Sequence, residues 1–257
     1  MWILILEGLM IGLLLGLTGA GGGILAVPAL MLSQGWTVNQ AAPVGLLAVT
    51  LAAMLGAGEG LVKKMVRYKA AIWIALFSIP SAKYGIHLSA LFPAFWLTII
   101  FCVIMLVVAY RVFFNKLNDV HNPPCKIDPS TGQFIWNIQT ALILGCLGII
   151  AGLLTGLLGV GGGFIIVPAL RKVTNLNMQS IVATSLMIIF LVGGVSIAIH
   201  AVDGFHYPLK ITISFIGACM VGMLCGRLMS RSIQAQTIQR IFALVVLGIA
   251  IYLPFSA

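Results

Sequence analysis

The chain has 257 residues, of which 7% are charged and 61% are apolar, and its formal net charge is +9. A soluble domain has about 25% charged and 45–50% apolar residues, and one soluble core of this length could not bury so much apolar surface. This composition excludes a soluble protein and predicts an all-α polytopic membrane protein. The basic residues are not interleaved with aromatic residues on a polar background, so a nucleic-acid partner is not expected.

Apolar runs and loops alternate along the chain. The first half contains an apolar run, a glycine-rich segment and three longer apolar runs: residues 2–17, 16–30, 41–57, 70–92 and 94–114. A polar, proline-containing segment at 115–135 predicts a loop. The second half repeats the same order: residues 136–155, 156–170, 180–201, 208–230 and 240–256.

The two glycine-rich segments are copies of each other. Gly16-Leu-Thr-Gly-Ala-Gly-Gly-Gly-Ile-Leu-Ala-Val-Pro-Ala-Leu30 recurs 140 residues later as Gly156-Leu-Leu-Gly-Val-Gly-Gly-Gly-Phe-Ile-Ile-Val-Pro-Ala-Leu170, with ten identities in fifteen positions. The repetition predicts a duplicated protein with a first membrane repeat at 1–114, a cytoplasmic linker at 115–135 and a second membrane repeat at 136–257.

The stretches after the glycines are too short to cross a membrane. Residues 24–32 and 164–170 would be about 10 to 14 Å long as helices, against a hydrocarbon core of about 30 Å. Each stretch either continues the preceding run as one broken helix or folds back on it as a hairpin. The hairpin places twelve of the 14 basic residues on one face, whereas the broken helix divides the loop charges 8 to 5. The positive-inside rule favours the hairpin, in the plasma (inner) membrane, with both termini outside.

An odd number of crossings in each half inverts the second repeat relative to the first. Inverted repeats that meet at interrupted helices are common in secondary transporters, whose substrates bind near the midplane. The sequence therefore predicts two inverted repeats, each formed by a glycine-broken helical hairpin and three transmembrane helices.

The glycine runs are candidate anion-binding turns. Without a β-carbon the chain turns sharply, and the unpaired N–H groups of a following helix carry partial positive charge. Two such ends facing each other would bind an anion without a charged side chain. The candidate glycines are Gly19, Gly21, Gly22, Gly23, Gly159, Gly161, Gly162 and Gly163. Close helix packing is the alternative explanation, and the sequence leaves open whether each helix starts at the glycines or at Pro28 and Pro168.

Polar side chains near the turns are the other candidate ligands. Hydroxyl and amide groups donate hydrogen bonds that suit a sulfonate or sulfite oxygen. The candidates are Thr18, Thr155, Gln40, Gln179, Thr184 and Ser185. Each of them has a helix-packing or helix-capping role as its alternative.

Two ionisable residues within the apolar runs are candidates for the path or for coupling. Lys83 either meets the anion or extends towards the outer interface. His200 either carries a coupling proton or lies at the interface. The five cysteines do not have the spacing of metal ligands, so no bound metal or cofactor is expected. No nucleophile and base have a spacing suited to catalysis, so the protein is not expected to be an enzyme.

The paired glycine motif resembles that of the sulfite exporter TauE/SafE family of membrane transporters. The duplicated halves and Ala183-Thr-Ser-Leu186 after the second motif add to the resemblance, which covers essentially the whole chain. It implies a carrier of small sulfur-containing anions. The first half departs from the pattern with Pro43-Val-Gly-Leu46, which makes the two half-sites unequal.

These observations predict a secondary transporter of a small anion that is driven by protons. Rocking of the two halves would expose a central site alternately to each side of the membrane. An anion channel would use the same turns, and a membrane-embedded accessory or assembly factor would need no translocation. The expected partners are the anion, coupling protons and the lipid bilayer, and the oligomeric state stays open.

Overall fold

The computed structural model describes residues 2–19, 21–114, 124–125, 127, 133–202, 208–230 and 235–256. These residues form ten α-helices: α1 (Trp2–Thr18), α2 (Gly21–Gln34), α3 (Val38–Val62), α4 (Tyr68–Leu91), α5 (Ala94–Phe114), α6 (Ile138–Leu158), α7 (Gly163–Val173), α8 (Met178–Val202), α9 (Leu209–Met229) and α10 (Ala235–Ser256). By length and composition, α3, α5, α6, α8 and α9 can each cross a membrane. The predicted all-α polytopic fold is confirmed.

The surface of the bundle is strongly apolar. Trp2, Ile138 and Leu209 are 86%, 78% and 70% exposed, on helices that carry few charges. A helix satisfies its backbone N–H and C=O groups internally, which is necessary in lipid because acyl chains offer no hydrogen-bond partners. These exposed side chains are therefore positioned to contact acyl chains.

The 140-residue repeat is visible in the helices. A shift of 140 residues maps α3 onto α8 with the same start and end, and it pairs the other helices in order. Most of the predicted linker, residues 115–135, lies outside the described residues. The division into two repeats and a linker stays a prediction.

The short helices begin at the glycines and not at the prolines. α2 starts at Gly21 and α7 at Gly163, so Pro28 and Pro168 lie inside them. The helices are therefore longer than the stretches 24–32 and 164–170 suggested. α2 folds back along α1 as a hairpin, since a β-carbon on Gly22 would lie 2.6 Å from the Ile11 carbonyl oxygen.

The two repeats are interleaved. The first helix of each repeat packs along the fourth helix of the other, α1 on α9 and α6 on α4. Glycines bring the backbones together: a β-carbon on Gly12 would overlap the Cys219 carbonyl, and one on Gly156 would overlap the Ala82 carbonyl. Such small-residue contacts are the common way for helices to associate in lipid.

The equivalent helices α3 and α8 pack against each other in opposite directions. Thr50 lies beside Gly193, and Gly60, further along α3, lies beside Ala183, near the start of α8. α5 and α10, which are also equivalent, pack against each other as well. The inverted relation of the repeats as wholes stays a prediction and is part of the proposal below.

The interleaved contact can be tested with two glycines of α9. A β-carbon on Gly222 would overlap the Leu9 carbonyl of α1, whereas one on Gly217 would have no atom within 4 Å. We expect Gly222→Ala to destabilise the protein by about 1–3 kcal/mol, because the close packing of the two helices leaves no room for a methyl group. Thermal unfolding in detergent measures the effect. Gly217→Ala is the matched control and should be neutral or stabilising; equal effects of the two substitutions would contradict this packing.

Candidate functional site

Both glycine turns use the left-handed backbone conformation. Gly19 ends α1 with φ 72°, and its N–H donates to the Leu15 carbonyl at 2.7 Å. Gly159 ends α6 in the same way with φ 69°, donating to the Thr155 carbonyl at 2.8 Å. Residues with a β-carbon rarely adopt this conformation. The equivalent glycines therefore reverse the chain at equivalent places.

The two glycine runs meet at the middle of the bundle. A β-carbon on Gly23 would lie 3.6 Å from Val49 Cγ1, and one on Gly161 would lie 3.9 Å from the same atom and 3.3 Å from Ile189 Cγ2. Val49 and Ile189 are the equivalent midpoints of α3 and α8, and both are buried. The meeting point is thus lined by apolar side chains, and in this conformation it is closed.

The two candidate threonines bond to their own helices. Thr18 Oγ1 donates to the Leu14 carbonyl at 2.7 Å and accepts from the Gly21 N–H at 2.7 Å. Thr155 Oγ1 donates to the Ala151 carbonyl at 2.7 Å. Thr18 therefore caps the start of α2, so the N–H of Gly21 already has a partner.

Thr184 and Ser185 hold backbone groups of the first repeat. Thr184 Oγ1 accepts from the Arg67 N–H at 3.1 Å, and Ser185 Oγ donates to the Gly19 carbonyl at 2.7 Å. Their equivalents in the first half, Val44 and Gly45, have no hydroxyl group. The predicted inequality of the two half-sites therefore has a structural counterpart, since the Ser185 hydroxyl holds the first turn and Gly45 has no hydroxyl to hold the second.

The remaining candidates are dispersed. Gln40 is exposed and caps α3, accepting from the Thr37 N–H at 3.2 Å. Lys83 is exposed on α4, next to buried Ala82, which fits an extension towards the interface better than contact with a buried anion. The backbone of His200 belongs to α8, but its side chain lies outside the described residues.

A cavity of about 250 Å³, here called the vestibule, opens beside the first glycine turn. It brings together three of the predicted site residues: Thr18, Gly21 and Gln179. Three arginines from three different helices also line it: Arg111 of α5, Arg171 of α7 and Arg227 of α9. Three guanidinium groups around a small cavity favour anions, because each offers several N–H donors in a planar fork.

One of these arginines has a carboxylate partner. Arg227 is 7% exposed, and its Nε lies 2.9 Å from Oε2 of Glu59 in α3. The Glu59 carboxylate also contacts the Lys63 ammonium group. A buried guanidinium needs such a partner, since an isolated buried charge is very costly.

Sequence reasoning did not select Arg111, Arg171, Arg227 or Glu59 for the site. The positive-inside rule accounts for the arginines by membrane orientation, and the apolar run 41–57 ends before Glu59, whereas α3 continues to Val62. Their convergence depends on how four helix ends pack. The available signal was their shared position at helix ends on the same predicted face.

The chain matches the family described as sulfite exporter TauE/SafE over residues 4–253. It belongs to this family of membrane transporters. No solved structure shows a significant match.

Several curated relatives are similar over nearly their whole length. The probable membrane transporter protein YunE of Bacillus subtilis (strain 168) is 27% identical over 99% of this chain and 97% of the relative. YjnA of the same organism, also named a probable membrane transporter protein, is 26% identical over 95% and 96%. A probable membrane transporter protein of Xylella fastidiosa (strain 9a5c) is 27% identical over 96% and 92%. The predicted family is therefore confirmed.

Ser185→Ala tests whether this hydroxyl supports the turn. Its loss leaves the buried Gly19 carbonyl without this donor, which we expect to destabilise the protein by about 1–3 kcal/mol. Thermal unfolding in detergent measures the effect, with Ser214→Ala as the control because the Ser214 hydroxyl makes an exposed bond to the Lys210 carbonyl. Unchanged stability together with lost transport would instead assign Ser185 to the substrate.

Proposed function

We propose that this TauE/SafE family member is a secondary transporter of a small anion, of the sulfite, sulfonate or sulfoacetate type. The anion binds in the vestibule, between the guanidinium groups of Arg111, Arg171 and Arg227. The observation that carries the proposal is the convergence of these three arginines on one cavity beside the first glycine turn. The sequence predicted that backbone N–H groups of the glycine turns bind the anion, whereas here the arginine side chains bind it.

The size and charge of the vestibule fit this class of substrate. Its volume of about 250 Å³ is below the range of about 300–1,000 Å³ that is usual for drug-sized ligands. Three arginines line it, and the Glu59 carboxylate contacts the guanidinium group of one of them, Arg227. Guanidinium forks pair with the planar or tetrahedral oxygen arrangements of oxyanions in bidentate fashion. The name of the family supports a sulfur-containing anion among these.

We further propose that the Glu59 carboxylate stays paired with the Arg227 guanidinium group when the substrate is absent. The carboxylate and an oxyanion are alternative partners for the same guanidinium group. An arriving anion would replace one charge-assisted bond with another, so Arg227 would never be left buried and unpaired. The exchange would also loosen a contact between α3 and α9, which belong to different repeats.

Alternating access would then involve the closed middle of the bundle. In this proposal the barrier between the vestibule and the other side is the apolar contact of Val49 and Ile189 with the glycine runs. The interleaved packing argues against rocking of the two sequence halves as blocks. We propose instead that two mixed groups of helices move against each other. One group is α1, α2, α3 and α9, and the other is α4, α6, α7 and α8. The 140-residue shift relates each helix of one group to a helix of the other.

The orientation follows from the charges. The antiparallel contacts of α3 and α8 support the inverted repeat, and the arginine end of the bundle is assigned to the cytoplasm. Both termini then lie outside the plasma membrane. We also propose that transport is coupled to protons, and Glu59, which contacts Arg227 of the vestibule, is an acid that could carry one.

Arg171→Gln tests the anion site. We expect at least about a tenfold loss of anion uptake, because a charge-assisted hydrogen bond contributes about 1.5–3 kcal/mol. The measurement is uptake of sulfite, thiosulfate and sulfoacetate into proteoliposomes, with taurine and carboxylates for comparison. Lys172→Gln is the matched control, since Lys172 is the next residue along α7 but does not line the vestibule.

The same assay separates a carrier from a channel. A carrier shows saturation and counterflow, whereas a channel conducts far faster and shows neither. Equal uptake by the Arg171→Gln and Lys172→Gln variants would contradict the vestibule as the binding site. Absence of transport for every anion would favour an accessory or assembly role.

Glu59→Gln tests the exchange at Arg227. Without the carboxylate, we expect the melting temperature to fall in anion-free buffer, since the buried guanidinium loses its charged partner. We also expect a larger rise of the melting temperature on adding the transported anion than the wild-type protein shows. A smaller rise would show that Glu59 assists anion binding and does not compete with it.

A further inference from the structure

We propose that the protein has a second anion site, which binds a phosphate group at the start of α4. The site is a cavity of about 400 Å³, here called the basic cleft. It lies between the α3–α4 connection and the segment that precedes α6. Its lining residues are Leu61, Lys64, Val66, Arg67, Tyr68, Lys69, Ala70, Gln133, Phe134 and Trp136. None of them lines the vestibule, so this proposal does not rest on the proposed function.

The cleft concentrates positive charge. Lys64, Arg67 and Lys69 contribute three cations, and none of the described lining residues carries a carboxylate. The Nε atom of Arg67 is buried and has no hydrogen-bond partner among the described residues. A buried guanidinium donor without an acceptor is costly, and like charges repel each other. An anion in the cleft would relieve both.

The backbone at Lys64 is a second, independent observation. Lys64 has φ 54°, the left-handed conformation at the end of α3. Its N–H donates to the Leu61 carbonyl at 3.0 Å, and the Met65 N–H donates to the Gly60 carbonyl at 2.9 Å. Glycine is the usual residue in such a helix-ending motif. A lysine at this position accepts backbone strain and places an ammonium group at the cleft, which points to a role for the charge.

The opposite wall is built from an anchored segment. Ile127 and Phe134 form an antiparallel bridge. The ring of Trp136 packs edge to face against Trp73 at a centroid distance of 5.7 Å, and Trp73 Nε1 donates to the Ala141 carbonyl at 3.0 Å. The cleft is therefore a formed cavity and not only a group of surface lysines.

The aromatic residues indicate where the phosphate comes from. Tyr68 and Trp136 are 46% and 41% exposed at the rim. Such amphipathic rings are typical of the boundary between membrane and water. A phosphate at this depth belongs either to the headgroup of an anionic phospholipid or to a soluble phosphate compound, and the two share the chemistry that the cleft recognises.

The test uses the full-length protein and a double variant, Lys64→Gly with Lys69→Gln. Glycine at 64 removes the charge and the backbone strain together, so the variant should fold at least as well as the wild type. Inorganic phosphate is titrated in detergent and followed by the melting temperature. Retention of phosphatidylglycerol against phosphatidylcholine is measured on the same proteins by native mass spectrometry.

Two single variants serve as controls. Lys172→Gln removes an exposed cation outside the cleft, and Arg171→Gln removes one from the vestibule. We expect Lys172→Gln to keep both wild-type responses and Arg171→Gln to keep phosphatidylglycerol binding, whereas the double variant should weaken phosphate or phosphatidylglycerol binding at least about tenfold. A response to phosphatidylglycerol alone assigns the site to a lipid headgroup, and a response to inorganic phosphate assigns it to a soluble compound.

Three results would overturn the proposal. The first is that neither probe binds the wild-type protein. The second is that the double variant binds as tightly as the wild type. The third is that Arg171→Gln abolishes the response and the double variant keeps it, because the phosphate would then be bound in the vestibule.

Discussion

The architecture depends on the close contact of glycine-lined helices from different repeats. α1 packs on α9 and α6 on α4 with their backbones almost touching, and a single β-carbon at Gly12 or Gly156 would overlap a carbonyl of the partner. These contacts fix the position of both hairpins. The glycine runs that follow the turns consequently meet beside Val49, the midpoint of α3, whereas the turns at Gly19 and Gly159 lie near the starts of α8 and α3. The glycines thus act in packing and in turn formation, and neither role excludes the other.

Positive charge has two roles at one end of the bundle. One is the orientation of the chain in the membrane, which we proposed above from the charges, and the other is the lining of two cavities. Arg227 illustrates the difference, because it is buried and paired with Glu59, whereas an orienting charge only needs contact with water and headgroups. In the account proposed above, the vestibule uses arginines for the transported anion, and the basic cleft uses Lys64 and Arg67 for a phosphate group.

Much of the fold was predictable, because it follows from features that are local in sequence. Apolar runs predicted the helices, and the glycine motifs predicted where α2 and α7 fold back on the helices before them. The site was less predictable, because Arg171, Arg227 and Glu59 come together only through packing between helices that are far apart in the chain. Gln40 shows the reverse error: its spacing from the turn suggested a ligand, but it caps the exposed start of α3. Short-range pattern cannot separate a capping amide from a binding one.

The central claim is that the transported anion binds in the vestibule. Selenite is the selenium analogue of sulfite, and selenium scatters X-rays anomalously. A crystal of the protein grown with selenite would show the anion position directly. The account predicts an anomalous peak between Thr18, Arg171 and Arg227. A peak between the glycine runs at Val49 and Ile189, with an empty vestibule, would contradict it.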